Sequence, residues 1–472
     1  MRNLVYNFFV FKNSIFYFEF SKLFSKVLIL WFLFAIFEGA GISLFYPIVE
    51  LLQYGQIRGD NLLTKYLSNI LDGLDIKTSF SIVFLITFLI LSIRFYLNYI
   101  KQKTIASSVH KVEFDIRNKL IESLYSANLG FLYKKKEGDW LSSFSYDVVR
   151  GRHVITDLSD FLGNIFLILI YVCILGLISF QLLIYCIPVF LVAIIILKSR
   201  SKFYEKTGKK LSNITSKYFS IHGDVMKNLI FVKMRNLVSF FETKLKIENR
   251  EITNSQYSLS KANFKVESVF GFILLFSVFY ILIISKIKLD LELYQIALFL
   301  FILNRVTPSL QLALKSLLNF LVNFQSLRVI IELCKNAETN KEELIGKTRI
   351  DDNINSVIFE NVFFNYEKNN KNVLNDISFS INKGESLGLI GSSGSGKSTL
   401  LNILTGFYKI DSGKILINHK DLNKIHMKNF RQKVSYLPQN PELFHNTIKK
   451  NLLLGITRRI KKNELISVLK EC

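Results

Sequence analysis

Six mostly apolar stretches constrain this chain of 472 residues more than any other feature. A helix needs about 20 such residues to cross the hydrocarbon core of a bilayer. Backbone groups cannot bond to water there, so each stretch is expected to be a helix. The stretches are about Val27–Leu52, Phe80–Tyr99, Phe161–Ser179, Gln181–Leu197, Val269–Ser285 and Leu293–Leu310. They predict an all-α membrane domain with six spanning helices.

The basic residues lie mostly between these stretches. The formal net charge is +23, and many lysines and arginines fall in two long connections, about Ile100–Asp160 and Lys198–Glu267. Cytoplasmic loops carry such an excess. Both long connections and both termini are therefore predicted to be cytoplasmic, in a multi-pass protein of the inner (plasma) membrane. A nucleic-acid binder could carry the same charge, but no recognition motif accompanies it, so no nucleic-acid partner is expected.

The long connections keep a helical pattern beyond the apolar stretches. Val112, Ile116, Leu120 and Leu124 recur at every fourth position, which places them on one helix face. The membrane helices are therefore predicted to continue well into the cytoplasm.

Composition changes along the chain divide it into four predicted segments. Residues 1–26 lack a small-residue cleavage site and carry Lys12, Glu19 and Lys22 within an aromatic run, which favours a helix lying at the membrane interface. The six-helix transmembrane domain follows over residues 27–332, and a polar linker over residues 333–352. Residues 353–472 alternate like strands in "SVIFENVFFNY" and show helical spacing in "STLLNILTGFY". They predict an α/β domain.

Further strands are predicted around one motif in this last segment. The stretch "NVLNDISFSINKGESLGLIG" is interpreted as two strands divided at Lys383-Gly384, and "GKILINHKDL" as a strand and a turn. The motif "GSSGSGKS", Gly391 to Ser398, follows the predicted strand "SLGLI" and precedes the predicted helix. It fits the phosphate-binding loop of P-loop proteins.

The chemistry of such a loop explains its residue types. Glycines let the backbone approach phosphate oxygens closely, and successive N–H groups at a helix start attract an anion. Lys397 is expected to bind the β- and γ-phosphates, and the Ser398 hydroxyl is expected to bind Mg²⁺. The predicted nucleotide-binding residues of the loop are Gly391, Ser393, Gly394, Ser395, Gly396, Lys397, Ser398 and Thr399.

From about Ser356 onward, this motif and the segment "VSYLPQNPELFHNTIKKNLLLG" resemble the nucleotide-binding domain of ABC transporters. Six apolar stretches ahead of it resemble the exporter arrangement of that family. The resemblance implies ATP and Mg²⁺ as ligands, Tyr366 as the aromatic that stacks on adenine, and Gln439 as the glutamine that contacts Mg²⁺ and senses the membrane domain. It also implies that Phe131–Val148 and Gly223–Met234 carry short helices that press on the nucleotide domain.

Charged residues within or near the apolar stretches are the substrate candidates. These are Glu38, Arg94, Glu267 and Arg305, and a charge at the centre of a bilayer costs about 2.5–3.5 kcal/mol on insertion scales. One interpretation is a polar cavity in which Glu38, Arg94 and Arg305 contact a substrate head group. The alternative is that these charges pair with one another or reach the membrane interface.

Several residues that complete an ATP site in this family do not follow Gln439 in these 472 residues. They are the L-S-G-G-Q-type signature, the apolar strand ending in Asp and a catalytic Glu, and the switch histidine. The predicted fold is therefore a membrane all-α six-helix domain followed by an incomplete α/β P-loop NTPase domain, inactive by itself as an ATPase.

The function implied by the resemblance is that of an ABC exporter half-transporter, which pairs with a second half, expected to be a copy of itself. Such a protein uses ATP to export or flip an amphipathic substrate, and the stretches around Glu38 and Arg305 look most like those of flippases for lipid-linked oligosaccharides. The alternatives are an exporter of peptides, lipids or drugs, and a truncated or split-gene product without transport activity.

Overall fold

A computed structural model describes most of the chain and divides it into two compact units. The units are Met1–Lys341 and Glu342–Cys472, and each is described by itself. The described residues are 21–54, 76–185, 187–287, 293–342, 346–350, 353–366, 373–439, 441, 443–456 and 458–471. The interfacial helix predicted over residues 1–26 therefore lies almost wholly outside the described part.

The first unit is mainly helical in its described residues. Its helices are α1 (Ser21–Ser43), α2 (Phe45–Tyr54), α3 (Ile76–Ser126), α4 (Leu129–Lys134), α5 (Glu137–Ser142), α6 (Val148–Ile178), α7 (Phe180–Tyr185), α8 (Ile187–Lys227), α9 (Leu229–Met234), α10 (Val238–Ile287) and α11 (Leu293–Thr339). A π-helical turn, Ser143–Asp147, joins α5 to α6.

Five helical stretches of the described residues are long and apolar enough to cross a membrane. They are Lys22–Tyr54, Phe80–Ser126, Glu137–Ile178, Val238–Ser285 and Gln295–Thr339. They include five of the six predicted apolar stretches. The remaining stretch, about Gln181–Leu197, is shared between α7 and α8, and residue 186 between them is outside the described part, so this span stays a prediction.

The long helices extend far beyond a bilayer, as their pattern predicts. Helix α3 has 51 residues, which corresponds to about 75 Å at 1.5 Å per residue, more than twice the hydrocarbon thickness of about 30 Å. Val112, Ile116 and Leu120 are all buried in the core of this extension. Their helical spacing therefore does mark a buried face.

Helix α11 corrects the predicted start of the linker. It continues to Thr339, whereas the linker is predicted from residue 333. The helix persists because Cys334 and Ala337 are fully buried in the same core as Leu327 and Ile330. Although the sequence around them is polar, these two residues continue the packed face of the helix.

The second unit is built on a small antiparallel sheet. Its strands are β1 (Ser356–Phe364), β2 (Leu374–Asn382), β3 (Ser412–Ile417) and β4 (Lys420–Asp421), in the spatial order β2-β1-β3-β4. Its helices are α12 (Lys397–Leu404), α13 (Met427–Arg431), α14 (Ile448–Leu452) and α15 (Lys462–Glu471). Leu400 and Ile403 of α12 pack with Phe359 and Ile415 of the sheet, which fixes α12 against it.

The turn between β3 and β4 uses two residues in the left-handed region. Asn418 has φ 49° and His419 has φ 63°, the backbone of a type I′ hairpin turn. The Asn418 side chain stabilises it by accepting hydrogen bonds from the backbone N–H groups of Asn355 (2.7 Å) and Ser356 (3.1 Å). The predicted strand and turn are confirmed.

The strand predicted over "SLGLI" is wrong for this structure. After β2 and the turn at Gly384, residues 385–392 are irregular, and Ile390 is fully exposed. A strand requires a neighbouring strand to accept its hydrogen bonds, and the sheet ladders of the described residues pair β1 with β2, β1 with β3, and β3 with β4, without residues 385–392.

Candidate functional site

The predicted phosphate loop is a wrapped turn that leads directly into α12. Gly394 and Gly396 have φ of +83° and +92°, values that glycine adopts without steric cost. A Cβ at Gly396 would also lie 2.8 Å from Leu374 Cδ2. Both the backbone conformation and the packing against β2 therefore require glycine at this position.

Lys397 lies across the inside of this loop. Its ammonium donates hydrogen bonds to the backbone oxygens of Gly391 (2.7 Å) and Ser392 (2.8 Å). This places a cation at the N-terminus of α12, where the helix dipole is positive. An anion that enters the loop can replace the two carbonyl oxygens as the partner of the ammonium. Ser398, the predicted Mg²⁺ ligand, is exposed beside it.

Tyr366 is connected to the loop through Thr399. The two hydroxyl groups are 2.8 Å apart, and Thr399 is buried. The Tyr366 ring meets those of Phe364 and Tyr408 edge-on, with centroids 5.0 and 5.2 Å away. About half of Tyr366 remains exposed. An exposed ring next to the phosphate loop suits a planar base, but its stacking on adenine stays a prediction.

Gln439 is not brought into the loop by any contact that the structure shows. It is exposed on an irregular segment after Leu437, and it makes no hydrogen bond to the described residues. Its predicted contact with Mg²⁺ stays a prediction. Among the described residues, no cluster of three or more His, Cys, Asp or Glu side chains could hold a metal ion. Mg²⁺ in this loop would depend on hydroxyl, amide and phosphate oxygens.

Two of the predicted substrate residues pair with each other inside the membrane unit. Arg94 of α3 donates a hydrogen bond to Glu38 of α1 and forms an ion pair with it. The Tyr171 hydroxyl of α6 lies 3.3 Å from the other oxygen of this carboxylate. Glu38 is 5% exposed, so its charge is stabilised by partners from two other helices. For Glu38 and Arg94, the structure therefore shows the alternative in which the charges pair with one another.

Arg305 occupies different surroundings. It lines a cavity of about 470 Å³ in the membrane unit, together with Lys101, Asp160 and Tyr171. Sequence reasoning missed Lys101 because it lies just after the apolar stretch Phe80–Tyr99, where lysine is common at the membrane interface. Its position two residues beyond the end of that stretch is the signal that could have found it. Glu267, also among the predicted charges, is exposed on α10.

Short helices lie in both segments that are predicted to press on the nucleotide domain, here called the docking segments. Helix α5 lies within Phe131–Val148, and α9 lies within Gly223–Met234. Helix α5 packs tightly on α8, since a Cβ at Gly138 would lie 2.5 Å from Ser220 Cα. Ser216 donates to Asp139, and Lys227 pairs with Glu137. The two segments are thus held together within the membrane unit.

The surface near these helices is basic and partly apolar. Ile230 and Met234 of α9 are 82% and 81% exposed. Lys217 of α8 donates a hydrogen bond to Glu248 of α10, which raises the pKa of Lys217. The contact of these helices with a nucleotide domain stays a prediction.

Two family profiles match the chain. The profile of the ABC transporter transmembrane region matches residues 54–306, more than half of the chain, and the ABC transporter profile matches residues 374–472. The chain therefore belongs to the ABC transporter family. Its order of regions, a helical membrane region and then a phosphate-loop domain, is that of an exporter-type half-transporter.

Relatives with curated names match over shorter stretches. The "Putative export ATP-binding/permease protein" of Rickettsia typhi is 38% identical over 116 residues, 24% of this chain and 20% of the relative. The "Putative multidrug export ATP-binding/permease protein" of Bacillus subtilis is 40% identical over 99 residues, 21% and 17% of the two chains. The "ATP-dependent lipid A-core flippase" of Blochmanniella floridana is 38% identical over 146 residues, 31% and 25% of the two chains. These matches span a quarter or less of the relatives' length.

The loop residues fit the nucleotide that this family uses. Gly394 and Gly396 supply the backbone conformation, Lys397 supplies the cation, and Tyr366 supplies an exposed aromatic face. Residues 391–399 are therefore the candidate ATP site, with Ser398 as the candidate Mg²⁺ ligand.

Proposed function

We propose that this chain serves in the ATP-driven export or flipping of an amphipathic substrate, as one half of an ABC exporter. The observation that carries the proposal is the glycine-wrapped loop with Lys397 across it, on the same chain as a helical membrane region. ATP binds through Gly391, Ser393, Gly394, Ser395, Gly396, Lys397, Ser398 and Thr399. Tyr366 contacts the adenine, and Ser398 and Gln439 hold Mg²⁺.

The chain acts beside a second half-transporter, a copy of itself, in the inner (plasma) membrane. The nucleotide domain and both docking helices are cytoplasmic. A switch between inward-facing and outward-facing states needs nucleotide contacts that differ between those states. The phosphate loop that contains Lys397 supplies one set of contacts to the nucleotide. In this family a signature segment supplies the other set. Because these 472 residues contain no such segment, the chain by itself binds ATP without turning it over.

The substrate is an amphiphile with a polar or anionic head group, such as a lipid-linked oligosaccharide. The name of the Blochmanniella floridana relative, a lipid A-core flippase, supports a glycolipid. The name of the Bacillus subtilis relative, a multidrug export protein, supports drug export as the alternative. Thermal stabilisation of the purified chain by a polyprenyl-linked oligosaccharide, but not by cationic drugs, would favour the first.

Nucleotide binding tests the assignment of the loop. The purified chain in nanodiscs is titrated with a fluorescent ATP analogue and Mg²⁺, and the Kd is compared with that of Lys397→Ala. Loss of the ammonium removes charge-assisted bonds to phosphate, so a weakening on the order of 10- to 100-fold is expected. Lys414→Ala, an exposed lysine on β3, is the matched control and should leave the Kd unchanged.

An equal Kd for Lys397→Ala and the parent chain would refute the phosphate-loop assignment. ATP hydrolysis is measured on the same samples. Robust turnover by the parent chain, abolished in Lys397→Ala, would overturn the expectation that the chain only binds ATP.

A further inference from the structure

The cavity beside Arg305 is lined by residues from four helices of the membrane unit. Trp31 and Phe34 come from α1, Lys101 from α3, Asp160 and Asn164 from α6, and Arg305 from α11. The cavity measures about 470 Å³, which is within the usual range for sites that hold small organic groups.

Lys101 is a buried cation without a hydrogen-bond acceptor among the described residues. It is 2% exposed, and its ammonium lies 3.5 Å from the ring centroid of Trp31 and 3.8 Å from that of Phe34. Aromatic faces attract a cation, but they do not accept its three hydrogen bonds. A buried charge without acceptors is costly, so this arrangement points to a ligand that supplies them.

Arg305 is a second cation that lines the cavity. Its guanidinium lies 5.7 Å from the Phe301 ring centroid, and it makes no ion pair within the described part of the chain. Asp160 is the one carboxylate among the described lining residues. Two cations against one carboxylate leave the cavity with a formal excess of positive charge.

The wall formed by α11 also offers an acceptor. Pro308 lies inside this helix and has no N–H, so it cannot donate to the backbone oxygen of Asn304, four residues earlier. Asn304 lines the same cavity. The cavity therefore presents cations for an anionic group and oxygen acceptors for hydroxyl or amide donors.

The ion pair of Glu38 and Arg94 provides an internal contrast. That pair satisfies its own charges with help from Tyr171, so it needs no ligand. Lys101 and Arg305 form no side-chain hydrogen bond or ion pair of this kind with the described residues, and Asp160 is the one carboxylate among the described residues that line their cavity.

We propose that Lys101 and Arg305 bind the phosphate or carboxylate group of an amphipathic substrate in this cavity, while Trp31 and Phe34 hold the Lys101 ammonium in place. The proposal rests on the proposed function, in that the ligand is the amphiphile that the chain moves. Lys101 is then the main determinant of preference for anionic over neutral head groups. Asp160 disfavours highly charged anions and accepts from hydroxyl groups next to the anionic group.

The tryptophans of the chain provide a direct binding assay. There are two, Trp31 and Trp140, so Trp140→Phe leaves Trp31 as the single reporter, 3.5 Å from the Lys101 ammonium. In dodecyl maltoside micelles without nucleotide, this variant is titrated with dodecyl phosphate, dodecanoate, dodecanol and inorganic phosphate. A saturable change in Trp31 emission with the first two probes, and none with dodecanol or inorganic phosphate, is expected.

The role of Lys101 is tested with Lys101→Met in the Trp140→Phe background. We expect binding of dodecyl phosphate to weaken on the order of 10- to 100-fold, since it loses hydrogen bonds from a charged donor. Arg305→Met should weaken it independently. Lys103→Met is the matched control, because Lys103 lies on the same helix, is exposed and is not among the lining residues. It should bind like the parent.

The unfolding temperature of each variant is measured to check that the variant folds like the parent. Because Lys101 has no hydrogen-bond acceptor among the described residues, Lys101→Met removes only its contacts with Trp31 and Phe34 and the attraction of Asp160, so its unfolding temperature should change little. A marked decrease would show a structural role and overturn the proposal.

Three binding results would also overturn the proposal. They are equal affinity in Lys101→Met and the parent, an equal response to dodecanol, and an equal response to inorganic phosphate, which would assign the site to a free anion. Because no nucleotide is present, these outcomes are separate from failure of the ATP site.

Discussion

The ion pair between Glu38 and Arg94 gives the prediction that the structure quantifies best. We compare Arg94→Met, which leaves the carboxylate, with Glu38→Gln, which leaves the guanidinium. Removing one partner of a buried pair costs about 3–5 kcal/mol when the remaining charge stays buried. The two partners differ in burial, since the side chains of Arg94 and Glu38 are 23% and 6% exposed. The two substitutions should therefore differ in cost.

Arg94 keeps other stabilising partners when Glu38 is neutral. Its guanidinium lies 4.8 Å from the Phe95 ring centroid and 5.5 Å from that of Phe34, and cation–π contacts contribute about 0.5–1 kcal/mol each at partly exposed sites. Among the described residues, the remaining hydrogen-bond partner of Glu38 is the Tyr171 hydroxyl, at 3.3 Å. We therefore expect Arg94→Met to lower the free energy of unfolding by about 3 kcal/mol, and Glu38→Gln by about 1–2 kcal/mol.

The assay is equilibrium unfolding of the purified chain in mixed micelles, with SDS as denaturant and tryptophan emission as the signal. The double variant completes the cycle, and its cost should be less than the sum of the single costs by at least about 1 kcal/mol. Arg305→Met is the matched control, because Arg305 has no ion pair within the described residues, and it should change stability little. An equal or larger cost for Glu38→Gln, or strict additivity, would refute the reasoning.

Three further predictions follow from close packing, backbone conformation and topology. Gly138→Ala should destabilise the membrane unit by about 1–3 kcal/mol, because its Cβ would lie 2.5 Å from Ser220 Cα, whereas Gly223→Ala, with nothing within 4 Å of its Cβ, should not; SDS unfolding compares them. Gly396→Ala should weaken binding of the ATP analogue at least about tenfold, because φ of +92° strains any side chain, whereas Gly388→Ala should bind normally. Tags at either terminus should be labelled only from the cytoplasmic side, and periplasmic labelling of one would contradict the six-span topology.

The phosphate loop could be predicted from sequence because its requirements are local. Glycines at the positions of Gly394 and Gly396 follow from the backbone that the loop needs, and the positive φ of both confirms the pattern. The strand before the loop could not be predicted in the same way. The residues of "SLGLI" have strand-like composition, but a strand exists only when another strand pairs with it, and that depends on tertiary structure.

The membrane charges show the same division. Sequence identified Glu38, Arg94 and Arg305 as costly in lipid, yet it could not tell which of them pair. Residues 38 and 94 meet because α1 and α3 lie side by side, and Lys101 and Arg305 line one cavity because α3 and α11 both contribute to its wall. These arrangements bring together residues that are far apart in the chain, and no local sequence pattern encodes them.

The sequence by itself determined the apolar helices, their extension beyond the bilayer and the glycine loop with its lysine, because hydrophobic periodicity and backbone requirements act over neighbouring residues. Tertiary structure alone decided which charges are neutralised, which remain without acceptors, and where α11 ends. Those outcomes depend on packing between distant helices, which sets the burial and the partners of each charge.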